Sequence, residues 1–533
     1  VFPVNQVRLD LLEKPVSKSK LEKDIKRIMG DSFSSVVTKE NKISITQVDE
    51  EINQIHKMAM LFSIVFILLS ILSIYTTMSR LISNQMVQIG TLKSLGFYDR
   101  QIYFHYGAYG FLVAIIGSLV GVIFGYTVVA NLVMNIKKAT LTLPIWKKSF
   151  GIDSIILIVL IVTVCTLAAI ITTRKVIKNN PSFTIKGMLD KKSNGPGIYK
   201  KSRLSYDWLW TLRSIRIHPI RTFMSITAIV GSIVLMVAGL GVWDSLYSSY
   251  QDVYNNEFCY KYIGQVYGES YNNLSRKFNS FDVQFAQSET ADFSFHGIEK
   301  SGSLLVLDSG DKIRIFDAKS KKKIRIEKDE VAIASQLAEQ LDVKVGDKIA
   351  YKTKSSLNEH RVTVTAIVDA KMPQGIFIYK DKVKNFEPNT IYIGDSEAYE
   401  QAKKEESISN IISIKKQQDN MKEMMDSVHS IMYILIVAAF VLSVVILYNL
   451  GILSYLERYR EYATMKVIGF KHSEIMGMVF KESVLNLLTG FVIGIPLSKQ
   501  FLKLYIRVVS MDSMEWTPII AKDHFLIVIF CVI

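Results

Sequence analysis

Thr91-Leu92-Lys93-Ser94-Leu95-Gly96-Phe97 returns as Thr464-Met465-Lys466-Val467-Ile468-Gly469-Phe470, 373 residues further along the chain. At the same offset Ile102 meets Ile475, Gly117 meets Gly490 and Gly121 meets Gly494. In each copy a charge-free apolar span precedes the motif, and a glycine-containing apolar span follows it. A repeat that keeps a polar loop and both flanking spans in register describes a duplicated membrane unit. Apolar letters alone could align the glycines by chance. They do not align the Thr, Lys, Gly, Phe and Ile positions together.

Met58–Ser79 carries no charge and is long enough to cross a hydrocarbon core of ~30 Å. Further spans are expected at Gly107–Met134, Ser154–Thr173, Thr222–Trp243 and Ser430–Leu453. A less pure one is expected at Met476–Ser498, with Lys481 and Glu482 near its start, and a truncated one at Phe525–Ile533. Between Thr173 and Thr222 lie twelve basic residues, from Arg174 to Arg221, against Asp190 and Asp207 alone. By the positive-inside rule that segment is cytoplasmic. Alternation then places both repeated loops in the cytoplasm, and 1–57 and 244–428 outside. Lys137, Lys138, Lys147 and Lys148 in an outer loop oppose this, but they are outnumbered. Interfacial Lys and Arg also account for the net charge of +15, so nucleic acid is not expected as a partner. Cys165 and Cys531 lie in apolar runs and Cys259 has no partner nearby, which argues against a disulfide framework or a cysteine metal site. The chain begins at Val1 and ends within an apolar run at Ile533, and it reads as a fragment.

The expected organisation has six parts. Residues 1–57 read as the end of an extracytoplasmic domain, with a polar helix near Lys20–Met29 and a short strand near Lys42–Thr46. Residues 58–178 form a unit of three spans. Residues 179–221 form a cytoplasmic linker, with a breaker cluster at Ser193–Gly197 and an amphipathic helix over Trp208–Arg216. Trp in that helix would lie at headgroup depth and Arg toward water. A span follows at 222–243, then an α+β domain at 244–428, then a second membrane unit at 429–533. In the domain, strands are expected at Gly302–Leu307, Ile313–Phe316, Lys348–Lys352 and Arg361–Val368. Gly346-Asp347 reads as a tight turn between strands. His296 and His360 are isolated there and suggest no catalytic or metal constellation. The fold class is a polytopic α-helical membrane protein with inserted extracytoplasmic α+β domains and a duplicated permease unit.

These residues resemble the FtsX/MacB-type permeases of ABC transporters, the type VII or mechanotransmission group. The resemblance is carried by Gln88-Ile89-Gly90-Thr91 through Phe97 with Ile102, and by Glu461-Tyr462-Ala463-Thr464 through Phe470 with Ile475. Leu212–Thr222 resembles the family's elbow helix, and Glu330–Asp369 its outer-domain segment. The resemblance implies halves of one span, an outer domain and three further spans, with a short cytoplasmic helix between the second and third spans docking on an ATPase. It thereby implies a chain that lacks the first span and is cut in the last, in a bacterial cell membrane. The family's third span often carries an early Glu, here Glu482. The first copy has Tyr109 at that position, so the halves are not equivalent.

The residues also carry a physical reading of their own. Gly96 and Gly469 suit a helix C′ position with positive φ. Lys93 and Lys466 lie one turn earlier, where a cation complements the helix C-terminus or pairs with acids on a partner. Phe97 and Phe470 offer apolar anchors, and two similar docking helices suit a partner that is itself a dimer. The bland alternative is a plain re-entry turn. Gly117, Gly121 and Gly125, like Gly490 and Gly494, have the spacing that lets helices approach closely. Glu482 is an intramembrane charge and so a functional candidate, although a local pair or a contact to the coupling helix is the simpler expectation.

No Gly-x-x-x-x-Gly-Lys-Ser/Thr phosphate loop occurs in the chain, so ATP would be hydrolysed on another polypeptide and no cofactor is expected here. The reading is a non-catalytic permease subunit. Its implied partners are a cytoplasmic ABC ATPase, membrane lipid, and a lipid, lipoprotein, peptide or antibiotic substrate handled outside. An FtsX-like signalling device that controls a cell-wall hydrolase or a sensor kinase is the alternative. An integral membrane enzyme would need clustered His, Asp or Glu on the spans.

Overall fold

The computed structural model describes residues 24–25, 27–28, 43–140, 145–177, 206–217, 219–324, 326, 330–353, 359–383, 386–510 and 514–532. The breaker cluster at Ser193–Gly197 and most of the basic linker lie outside these residues. The chain divides into two compact units, one of membrane helices and one built on a sheet.

The helices that build the membrane unit begin with α1 (Ile43–Asn84), α2 (Met86–Ser94), α3 (Asp99–Phe124), α4 (Ala130–Thr140) and α5 (Ile152–Ile177). They continue with α6 (Tyr206–Ile217), α7 (Pro219–Asp252), α8 (Ile414–Ile468), α9 (His472–Val509) and α10 (Lys522–Val532). Among the described residues six helices are long and apolar enough to cross a membrane, which makes this a multi-pass membrane protein. A π-helical turn at Gly125–Val129 joins α3 to α4, so this span continues to Lys138. The strand expected near Lys42–Thr46 is instead the first turn of α1 from Ile43 onward. Ile43 and Ile45 alternate with polar residues, but extending an existing helix is easier than nucleating a separate element.

Helix α7 is the centre of this unit, with 67% of its apolar window buried. Three of its glycines admit neighbouring helices. A Cβ at Gly231 would fall 2.5 Å from Leu69 of α1, one at Gly239 would fall 2.4 Å from Ile436 of α8, and one at Gly241 would fall 2.6 Å from Leu502 of α9. Ser232 also bonds Ser443 of α8 at 2.7 Å, which satisfies two hydroxyls buried between spans. At the far end of α7, Asp244 accepts a hydrogen bond from the Ala521 amide at 2.7 Å and faces His524 Nδ1 at 2.7 Å. That pairing anchors the start of α10. Elsewhere α3 lies against α5, where a Cβ at Gly110 would fall 2.6 Å from the Cβ of Ala169.

The sheet unit consists mainly of residues 249–421. Its strands are β1 (Tyr262–Val266), β2 (Val283–Phe295), β3 (Ile298–Leu307), β4 (Ile315–Asp317), β5 (Lys323–Ile324) and β6 (Val331–Ala334). They continue as β7 (Lys348–Thr353), β8 (His360–Thr363), β9 (Ala366–Asp369), β10 (Gly375–Tyr379), β11 (Thr390–Ile393) and β12 (Ile408–Ser413). They form one mixed sheet in the order β12-β1-β11-β2-β3-β10-β6-β9-β4-β5, with β7 pairing β2 and β8. The β3/β10 and β6/β9 pairs are parallel. Short helices at Ser335–Leu341 and Ser396–Lys404 cover apolar clusters, one around Phe293, Ile333 and Ile376, the other around Phe278, Phe285 and Ile391. The run expected as one strand at Arg361–Val368 is two, β8 and β9. Gly346, at φ +101°, turns the chain from a helix into β7, so the segment before it is not a strand. Glu515, from the loop between α9 and α10, donates its amide to the Lys371 carbonyl at 2.9 Å and accepts from Ser335 at 2.8 Å. This loop therefore belongs to the sheet unit.

Candidate functional site

Both copies of the repeated motif end a helix in the same way. In the first, Gly96 N–H bonds the Lys93 carbonyl and Phe97 N–H bonds the Leu92 carbonyl, both at 3.2 Å. In the second, Gly469 N–H bonds Lys466 at 3.2 Å and Phe470 N–H bonds Met465 at 3.1 Å. This nested pair is a Schellman motif, and it requires a left-handed residue at C′. Gly96 has φ +89° and Gly469 has φ +106°. The outgoing helix also starts alike in both copies. Tyr98 N–H donates to the Gln101 side chain at 3.1 Å, and Lys471 N–H donates to the Glu474 side chain at 2.8 Å. Each copy is thus a sharp reversal, capped on both sides, between an incoming and an outgoing helix.

The surroundings of the motif residues differ between copies. Ile102 is buried with Ile82, Met86, Ile89, Tyr106 and Ile177, and Ile475 is buried as well. Thr91 is exposed and bonds the Val87 carbonyl at 3.0 Å; Thr464 and Lys466 are exposed. Lys93 bonds the Ile177 carbonyl and pairs with Asp99 at 3.3 Å. Phe97 is exposed, whereas Phe470 is half-buried. Open aliphatic side chains at the two apices are Leu95 at 70% exposure, Ile468 at 71% and Val467 at 88%, with Tyr98 open at the first as well. The sequence reading names Phe97 and Phe470 as apolar anchors and does not single out Leu95 and Ile468. Leu95 and Ile468 are equivalent positions in the repeat, immediately before the C′ glycine, and that register was the available signal.

The glycine positions divide as well. Gly490 and Gly494 lie against Ile229 and Ile233 of α7, where a Cβ would come within 2.5 and 2.8 Å. Gly117, Gly121 and Gly125 meet no side chain within 4 Å among the described residues.

Glu482 belongs to a buried polar cluster. Its carboxylate pairs with the guanidinium of Arg458 from α8 and accepts a hydrogen bond from Ser214 of α6 at 3.0 Å. Arg458 lies 3.9 Å over the ring of Trp210 and reaches Glu461 at 3.3 Å. A desolvated guanidinium on an indole face is a strong form of cation–π contact. Trp210, half-buried, is therefore a platform for a cation; Trp208, Arg213 and Arg216 of the same helix are exposed. Neither Arg458 nor Trp210 was singled out from the sequence as part of a site.

Among the described residues no group of three or more His, Cys, Asp or Glu is arranged to hold a metal ion. A search of curated proteins finds no match. The family model of the FtsX-like permease C-terminal domain matches residues 60–181 and 433–533, the two segments that contain the capped turns. The chain therefore carries the C-terminal domain of the FtsX-like permease family twice, once in each half.

Proposed function

We propose that this chain is the membrane permease subunit of an ABC complex whose ATPase is a separate cytoplasmic chain. The observation that carries the proposal is the doubled turn. Two Schellman-capped reversals, in register, each present an aliphatic side chain at the apex, Leu95 or Ile468, with Phe97 also exposed at the first. Apolar side chains held out on a capped turn are of the kind that fills a pocket in a soluble partner. Two of them suit an ATPase dimer. The FtsX-like match supports the same reading.

On this proposal, closure of the ATPases on nucleotide displaces the turns, and the spans carry the motion to the extracytoplasmic sheet domain. The substrate, a lipid, lipoprotein, peptide or antibiotic, is handled on the outer face and need not pass between the helices. The chain contributes no catalytic group of its own to ATP hydrolysis.

The test is a mild-detergent copurification of the intact protein, with any stoichiometric partner assayed for ATP hydrolysis. Gly96→Pro with Gly469→Pro is the control, because proline cannot adopt positive φ. An ATPase bound by the native chain and lost from the double variant is the expected result. A native chain that brings down no ATPase would favour a signalling role for the outer domain.

A further inference from the structure

The two copies of the repeat carry the same turn on differently built arms. In the first copy α1 ends at Asn84, Gln85 interrupts the helix with φ −99° and ψ 12°, and α2 starts afresh at Met86. In the second copy α8 is uninterrupted for 55 residues, from Ile414 to Ile468. The residue in register with Gln85 is Arg458.

Arg458 is 1% exposed and binds in three directions. Its guanidinium stacks on Trp210 of α6, pairs with Glu482 of α9 and reaches Glu461 one turn further along α8. Ser214, also on α6, bonds the same Glu482 oxygen at 3.0 Å. One cation thus ties the arm of the second turn to the elbow helix and to the outgoing helix. The first copy has no charge at either position. Gln85 accepts a hydrogen bond from Tyr106 at 2.7 Å, and the counterpart of Glu482 is the exposed Tyr109. A buried ion pair adds little to stability over an apolar packing of the same volume; its best-attested use is to fix one arrangement.

Gln85 keeps the Leu81 and Ile89 backbone hydrogen bonds at 3.1 and 3.0 Å, and the first arm is tied by neutral contacts and by Lys93. The non-helical residue is therefore its weakest point, whereas the second arm is continuous and clamped by a buried ion pair at the equivalent residue. We propose that Arg458 is a positioning residue that makes the second turn a rigid arm, locked to α6 and α9, while the first turn is hinged at Gln85. Force from a docked ATPase then enters the spans chiefly through the second turn. This last consequence rests on the docking reading above; the mechanical difference does not.

The test separates the two. Spin labels are placed at Val467 and Arg213 to report the second turn, and at Leu95 and Arg174 to report the first. The labels are read in the full chain in nanodiscs, with Cys165, Cys259 and Cys531 replaced. The 467–213 distance distribution should be narrow and the 95–174 distribution broad. Arg458→Gln should broaden the former to match the latter. Arg458→Gln with Glu482→Gln leaves no lone buried charge and serves if the single variant does not fold. Equal widths in the unsubstituted protein, or a width unmoved by both variants, would overturn the proposal. With the copurifying ATPase added, Arg458→Gln should keep the ATPase bound but lower its stimulation by the permease about tenfold, within the range of ordinary coupling energies. Gln85→Ala should leave stimulation unchanged. Full stimulation with Arg458→Gln would overturn the role of the arm. Failure of the native chain to bind an ATPase would sink the docking reading, and the distance measurement would still decide the mechanical claim.

Discussion

At the scale of single residues, the chain uses glycine for two separate purposes, and substitution distinguishes them. Gly469 provides a left-handed C′ conformation with open space around its Cα, so Gly469→Ala should destabilise the turn by about 1 kcal/mol through backbone strain alone. Gly490 provides room, and a larger side chain there would meet Ile229. Gly490→Leu should therefore cost about 1–3 kcal/mol by overpacking, read as a lower melting temperature of the purified protein. Leu95 and Ile468 serve neither purpose. Leu95→Asp and Ile468→Asp should change stability by no more than about 0.5 kcal/mol, because both side chains are exposed. Both should nonetheless weaken binding of the ATPase in a copurification assay. An aspartate that lowered the melting temperature sharply would show that these side chains pack within the chain.

At the scale of elements, long apolar runs were plain in the sequence and short alternations were not. The spans other than Met476–Ser498, which carries Lys481 and Glu482, could be placed from their absence of charge, because a helix in hydrocarbon must satisfy its own backbone and tolerates few ions. Ile43-Ser44-Ile45-Thr46 alternates like a strand yet is helical, since the helix beyond it recruits it. The sheet order, with β10 entering between β3 and β6, depends on long-range pairing that no local pattern encodes. The positive-φ turn residues were legible because glycine has a local reason to be there. Arg458 was not, because its meaning comes from Trp210 and Glu482, on two other helices. The sheet unit also has a pH signature of its own. Burial alone would raise the Asp369 carboxyl, but hydrogen bonds from Lys321 and Lys371 outweigh it and hold the group below its ordinary value. A depressed carboxylate stabilises above the unfolded value of about 3.9 and loses that contribution as pH falls through the folded one. Burial likewise pushes Lys380 down, while Asp308 and Tyr271 more than restore it, so its contribution is lost only as pH rises through its raised value. Amide exchange of β9 in the intact protein should therefore quicken as pH drops below about 4 once corrected for the intrinsic rate, and Asp369→Asn should flatten that dependence. An unchanged dependence in the variant would show that the ion pairs contribute nothing to the strand.

For the whole molecule, duplication set a common plan that the two halves then use differently. The incoming helix is broken in one copy and continuous in the other, and the charged pair at Arg458 and Glu482 has neutral counterparts. The FtsX-like match at 60–181 and 433–533 covers the shared plan. The departures from it lie within the matched segments, at the positions where the arms of the turns are fixed. The central question for the molecule is whether both turns touch an ATPase. The most direct measurement is site-specific photo-crosslinking in intact membranes, with a photoreactive residue at Leu95 in one variant and at Ile468 in another. Both positions should capture the same ATP-hydrolysing polypeptide, and neither should do so when Gly96 and Gly469 are replaced by proline. Crosslinks to lipid alone from both positions would contradict the account.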